Sequence, residues 1–311
     1  MSHKTTVDWF RFRTQAQPRE TVEVLRPMFG QLGEYLHLEP LDRGILGFQQ
    51  GCQVKIAGNL VVGRCDFGGD SQRGWVRWDF PGKGCEWVTD WEAAESLEDA
   101  AASEVKRLDI ALTTWHGEVS HETVVDAYAA GRFACERAGR PPALRQVLSS
   151  DPRAGRTCYI GSRKADKLLR CYEKGWEMAK SLPEPMRDSL TQIEGCPPGD
   201  IYRCELELKA AERPIPWEVI SRRDQYFAGS YPFCADILPG IEVDILKQRP
   251  ERAPQRELAA ALAHLRHQWG STLYTALRAY GGDIGAVWEK VCGEQHNADL
   301  LAAGVLMVEH A

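Results

Sequence analysis

The sequence predicts an α+β fold, and three observations carry that prediction. Several segments alternate polar and apolar residues with the period of two of a half-buried strand, most cleanly YRCELELK (202–209) and RLDIAL (107–112). Between residues 42 and 80, short runs rich in β-branched and aromatic residues are punctuated by glycine, the spacing of hairpin turns in a meander. Helical periodicity appears between and after these strands, strongest in the leucine stripe that starts at Leu258.

VDWFRFRT (7–14) reads as the first strand, closed by the turn QAQPRE. TVEVLRPMFGQLGEYL reads as a helix interrupted near Pro27. In the meander that follows, Trp75 and Trp78 cluster with Trp87 and Trp91. Such a set either stacks unpaired bases or fills an ordinary core, and burial is the commoner fate. The Ala- and Glu-rich stretch 91–107 predicts a solvated helix with Leu97 and Ala101 on one side. Ser120 is a candidate N-cap for a helix carrying Val124, Ala127, Tyr128, Gly131 and Cys135, with Gly139 and the following prolines as its stop. His116 and His121 flank that cap; five apart, they form no metal pair and read as structural or exposed.

PALRQVLSSDPRAGRT reads as a polar connector and TCYIGSR as a strand. The next stretch is ambiguous. LLRCYEK after the turn KADK makes a hairpin partner, yet Ala165, Leu168, Leu169, Tyr172 and Trp176 also fit a helix. Polar, proline-bearing KQRPERAPQ (247–255) marks a boundary, giving a main domain of 1–246 and a helical appendage of 247–311 made of three helices.

A chain of 311 residues with 43% hydrophobic and 26% charged side chains can bury a substantial core and is not disordered. No apolar run approaches a membrane span, and the N-terminus lacks a signal segment, so a cytoplasmic location is expected. Ten cysteines without a CxxC pair read as reduced thiols acting as small hydrophobes, and a structural zinc is not expected. The net charge of −6 is not that of a typical nucleic-acid binder, but the charge is unevenly spread. Residues 84–104 carry seven acidic and no basic side chains, whereas 153–180 carry eight basic and three acidic ones. Local patches of the second kind are where a phosphate backbone docks.

YIGSRKADKLLRCYEK, preceded by RLDIAL and followed by YRCELELK, resembles the replication initiation factor family, with VDWFRF matching its usual first strand. The likeness runs over about residues 5–245. That family contains the relaxase-like initiators of rolling-circle plasmids, filamentous phages and integrative elements. The resemblance favours the hairpin over the helix at 159–174, and it implies a large, mostly antiparallel sheet with helices on one face. It also implies a metal-dependent nicking and joining enzyme that acts on double-stranded or cruciform and single-stranded origin DNA, with a host helicase as partner and a homodimer as a compatible state.

With the three strands side by side, Arg107 and Asp109, then Arg170, Tyr172 and Lys174, then Arg203, Glu205, Glu207 and Lys209 share one polar face. The family's RxYxK tyrosine falls on Tyr172, which would attack a backbone phosphate and leave a 3′ hydroxyl; Tyr159 is the reserve nucleophile. Lys174 on the same face would ease ionisation of the phenol, and Arg170 would clamp a phosphate. Asp109, Glu205 and Glu207 would hold Mg²⁺ or Mn²⁺, while Arg163, Lys164, Lys167 and Arg203 are candidate DNA contacts. The chain departs from the family in carrying Thr113 and Thr114 where an acidic residue often stands, and it has no HxH pair of the kind other relaxases use. Two functions stay open: the nicking enzyme, and a protein that binds origin or operator DNA on the same scaffold without cutting it.

Overall fold

Strand pairing organises the first of the chain's two compact units, Met1–Gln248. The computed structural model describes residues 3–99, 102–134, 141–211, 213–245, 254–297 and 300–301. Among them the strands are β1 (Thr6–Thr14), β2 (His37–Leu41), β3 (Gln50–Ile56), β4 (Leu60–Phe67), β5 (Val76–Pro81), β6 (Glu104–Thr114), β7 (Leu144–Val147), β8 (Thr157–Gly161), β9 (Lys167–Glu173) and β10 (Tyr202–Lys209). They form one sheet in the order β2-β3-β4-β5-β1-β6-β10-β9-β8-β7, and every neighbouring pair is antiparallel. The sheet joins the meander to the later strands through the β1–β6 pair.

One face of the sheet is apolar because alternate residues of each strand are. Phe10 and Phe12 of β1, Ile110 of β6, Leu206 of β10 and Leu169 of β9 are completely buried in one core with residues of the helices α1 (Pro18–Leu25), α2 (Gly82–Cys85), α3 (His121–Ala129), α6 (Arg223–Ala228) and α7 (Pro232–Ile237). Two short helices, α4 (Lys174–Lys180) and α5 (Glu184–Asp188), follow β9. Phe12 stacks on Trp78 with ring centroids 6.0 Å apart. Phe12→Ala is therefore expected to cost about 3–5 kcal/mol in denaturant unfolding.

Several elements differ from the sequence expectations. The hairpin β8–β9 is present, pairing Tyr159 with Arg170 and Cys158 with Cys171, so the helical reading of that stretch is wrong. Stretch 91–107 is not one helix. A 3₁₀ segment covers Glu92–Glu98 and buries Ala94 and Leu97, and β6 begins already at Glu104, opposite Arg13 of β1. Cross-strand pairing outweighs the weak helical preference of Ala and Glu; Ala101 lies outside the described residues.

Ser120 does cap α3, its Oγ accepting from the Thr123 N–H at 3.2 Å. The helix stops at Ala129, because Gly131 takes φ +75° and the Arg132 N–H closes on the Ala127 carbonyl. Cys135 and Gly139 lie outside the described residues. β7 falls inside the expected connector; it is a four-residue edge strand with no apolar alternation to reveal it.

The chain divides into two compact units, Met1–Gln248 and Arg249–Ala311. In the second, α8 (Pro254–Ala279) is followed by Gly281 and Gly282, both at positive φ, and then by α9 (Ile284–Val291). Most of the expected boundary segment and most of the third appendage helix lie outside the described residues. The nine described cysteines are all unbridged, and no described helix is long and apolar enough to cross a membrane.

Candidate active site

The second face of the sheet carries the chemistry. Register places Glu207 of β10 opposite Asp109 of β6, Glu205 opposite Arg170 of β9, and Arg203 opposite Tyr172. Three strands thus bring a phenol, three carboxylates and three guanidinium groups into one band.

The carboxylates fall into two groups. Arg107 grips Asp109 with two hydrogen bonds, Nε to Oδ1 at 2.8 Å and Nη2 to Oδ2 at 2.6 Å, and its Nη2 also lies 2.8 Å from Glu207. Lys209 adds a second cation to Glu207 at 2.5 Å. Glu205 belongs instead to the tyrosine: its Oε2 accepts from Arg170 Nη2 at 2.6 Å and from Tyr172 Oη at 3.4 Å. The Arg170 guanidinium lies 4.7 Å from the Tyr172 ring centroid. Burial, reinforced by the Glu205 charge, pushes the Tyr172 phenol well above its ordinary value, and the side chain is only 7% exposed. Burial also raises Glu205 above the ordinary carboxylate range, against the pull of Arg170.

Two expectations, for Lys174 and Lys167, need correction. Lys174 does not continue the strand face. β9 ends at Glu173, and Lys174 opens α4, where it pairs with Glu177 at 2.7 Å while its Nζ lies 5.8 Å from the Tyr172 ring. Lys167 shares its side of β9 with Leu169 and Cys171, away from Tyr172; its Nζ donates to the Ser230 carbonyl and sits 4.0 Å from the Tyr231 ring. Arg203 is on the polar face but is held in place, donating to Thr113 Oγ1 at 2.9 Å and to Asp8 Oδ1 at 2.8 Å. Arg163 and Lys164 are exposed in the β8–β9 turn. Half-buried Tyr159 lies on the same face, with the Arg145 and Arg163 guanidinium groups 4.7 Å and 5.7 Å from its ring.

Asp8 is the residue that sequence reasoning missed. The register between β1 and β6 shifts between Val7 and Trp9, and this bulge re-aims Asp8 at Arg203. It places a fourth carboxylate on the guanidinium of Arg203, which also donates to Thr113.

A hard divalent cation takes oxygen donors of the kind Asp109, Glu205 and Glu207 supply. Their number and burial suit one, but each is closed by a guanidinium group, and no group of three metal-capable side chains converges among the described residues. Asp109, 1% exposed, reports the tension: burial outweighs its Arg107 pair and pushes the carboxyl up to about 7, Glu205 and Glu207 adding repulsion. A carboxyl raised above its unfolded value of about 3.9 contributes stability that is complete below that value and is lost as pH rises through the folded one. Wild type is accordingly expected to lose thermal stability relative to Asp109→Asn between about pH 4 and 7 and to level off above. Parallel melting curves of the two proteins over that range check this.

Residues 103–256 match a family model described as replication initiation factor. Among solved structures, the chain is similar to the rolling circle replication initiator protein from Geobacillus stearothermophilus, at 19% identity and a TM-score of 0.54, over 79% of this chain and 99% of that one. That likeness is one of fold. No curated protein matches.

Proposed function

This chain belongs to the replication initiation factor family through residues 103–256, and from that premise we propose that it initiates rolling-circle replication by nicking and rejoining origin DNA through Tyr172. The observation that carries the reading is the contact of the Tyr172 hydroxyl with Glu205, itself clamped by Arg170, in the middle of a polar sheet face. Glu205 takes the phenolic proton as Oη attacks the phosphorus. The bond from phosphorus to the 3′ oxygen breaks, a bond from Oη to the 5′ phosphate forms, and the proton passes from Glu205 to the departing oxygen, giving a 3′ hydroxyl able to prime synthesis. Rejoining runs the same steps backwards. Arg170 balances charge at the phosphate beside Tyr172, and Arg203 keeps Asp8 and Thr113 in register with it.

Mg²⁺ or Mn²⁺ is part of the proposal: Asp109, Glu205 and Glu207 would hold it only once substrate phosphates draw Arg107 and Arg170 off these carboxylates and let the three converge. Bound there, the cation would neutralise charge on a phosphate oxygen as phosphorus becomes five-coordinate. Origin DNA, single-stranded or cruciform, is the proposed substrate, and a helicase acting on the nicked strand the proposed partner. A second reading, a protein that holds origin DNA without cutting it, draws on the closure of every carboxylate by a guanidinium group.

Supercoiled DNA carrying the origin separates the two. Conversion to open circles with Mg²⁺ or Mn²⁺, lost with a chelator and restored by adding the metal back, together with a nucleotide adduct on Tyr172, is the expected result. Retarded but uncut DNA under all these conditions would establish the binding protein instead, and an adduct on Tyr159 would move the nucleophile.

A further inference from the structure

The polar face does not end at the candidate active site. Across β6, β1 and β5 it opens into a groove of about 880 Å³, seven of whose lining residues are Arg or Lys while none is Asp or Glu. Six of these seven cations are ion-paired with carboxylates behind the lining, namely Asp66, Asp79, Glu104, Asp109 and Glu207, and Arg73 is the one with no ion pair among the described residues. Carboxylates outside the lining aim these groups: Asp79 holds Arg11 at 2.9 Å, and Glu104 holds Arg13 at 2.8 Å.

Arg73 is the groove cation that the protein leaves open to a ligand. The guanidinium of Arg73, exposed at the tip of the β4–β5 hairpin, has no partner among the described residues. Its backbone sits at φ +50°, the left-handed conformation that ends the short 3₁₀ turn Asp70–Gln72 at the groove mouth. Arg77, another lining residue, is by contrast paired through its two Nη atoms with Asp66 and Asp79, and only its buried Nε has no acceptor.

Aromatic rings share the wall. Trp75, half-exposed, carries the Arg13 guanidinium 4.0 Å from its centroid, and half-buried Phe48 lines the same groove. Cations alone serve a duplex and a single strand equally; partly exposed rings beside them add stacking for unpaired bases only. Most of this groove is built from residues before 103, outside the part of the chain that matches the family model. It also reaches Arg107, which grips Asp109 and Glu207 in the active-site band.

We propose that this groove binds a single strand of DNA, its phosphates against Arg73, Lys106 and Arg11 and its bases on Trp75 and Phe48, as a track leading to or from the nicking site. This role as a track rests on the function proposed above; single-strand binding by the groove does not.

The test is binding of a fluorescent oligothymidine of a dozen or so nucleotides, and of a duplex of equal length, to the full-length protein and to Arg73→Asn, Lys106→Gln and Trp75→Ala, each over a salt series. Asn tolerates the left-handed backbone at position 73, and all three sites are exposed or half-exposed, so the variants keep the fold. Arg73→Asn and Lys106→Gln are expected to weaken oligothymidine binding by roughly five- to tenfold at low salt and to shallow the salt slope by about 0.7 for each phosphate that is no longer neutralised. Trp75→Ala should weaken it by roughly tenfold with the slope unchanged, and leave the duplex nearly unaffected. Unchanged oligothymidine binding in all three variants overturns the proposal. So does an equal loss for duplex and single strand in Trp75→Ala, which would mark a non-selective cationic surface. Nicking of supercoiled origin DNA by the same proteins keeps the two readings apart: if single-strand binding depends on the groove but wild type never nicks, the groove stands and the nicking function falls. If wild type nicks through Tyr172 but the groove variants bind as before, the reverse holds.

Discussion

Tyr172→Phe is expected to abolish nicking, by roughly 10³-fold or more, while leaving affinity for origin DNA within about twofold. The substitution removes one oxygen. The ring stays in place beside Arg203 on β10, with Arg170 still 4.7 Å from its centroid. The lost hydrogen bond to Glu205 is long, 3.4 Å, and the phenol pairs with a carboxylate that keeps its Arg170 partner, so folding stability should change by less than about 1 kcal/mol. A gel-shift assay and a supercoil-relaxation assay on the same protein read the two quantities independently. Nicking at the wild-type rate would remove Tyr172 from the chemistry and direct attention to Tyr159, which shares the face and is the more exposed of the two. Loss of both binding and nicking, with an altered melting temperature, would show that the ring's packing and not its hydroxyl had been needed.

The strands that build this site are readable because each obeys a strict period of two. Arg203, Glu205, Glu207 and Lys209 can be assigned to one face of β10 without any structure, and the register then brings Asp109 and Arg170 beside them. The failures have distinct physical causes. Lys174 follows Tyr172 by two residues, but the strand has already ended. Lys174 is already the first residue of α4, whose next residue, Gly175, packs so closely on Pro198 that a Cβ there would run into its carbonyl oxygen. Lys167 sits among other cations in the sequence, although the same period of two puts it beside Leu169 and Cys171; counting charge without parity misplaces it. Asp8 is invisible because a bulge breaks the alternation that would have located it, and a bulge depends on the partner strand as much as on its own sequence. Among the tryptophans, Trp78 goes to the core and Trp75 to the groove, a division set by which face of the β4–β5 hairpin each occupies.

Glu205→Gln is expected to lower nicking by roughly 10²- to 10⁴-fold, because the side chain that receives the Tyr172 proton no longer can. The amide keeps the shape and can still accept from Arg170, so the cost to stability should be modest, and losing a carboxylate that is 4% exposed and raised by burial offsets part of it. Glu205 is also a candidate metal ligand, and two readouts tell the roles apart. A proton acceptor must be ionised to work, so wild-type nicking at saturating metal should rise with pH through the elevated Glu205 value and then level, and Glu205→Gln should lose that rise. A ligand's loss would instead raise the Mg²⁺ or Mn²⁺ concentration needed for half-maximal nicking, with the pH profile kept and activity recovered at high metal. Arg170→Met sharpens the distinction: it leaves Glu205 buried without its cation, which should cost about 3 kcal/mol of stability and push the carboxyl higher still, moving the pH rise to more alkaline values. A shift of the profile in Arg170→Met together with its loss in Glu205→Gln would assign the proton to Glu205, because a metal ligand at that position would move the metal dependence instead.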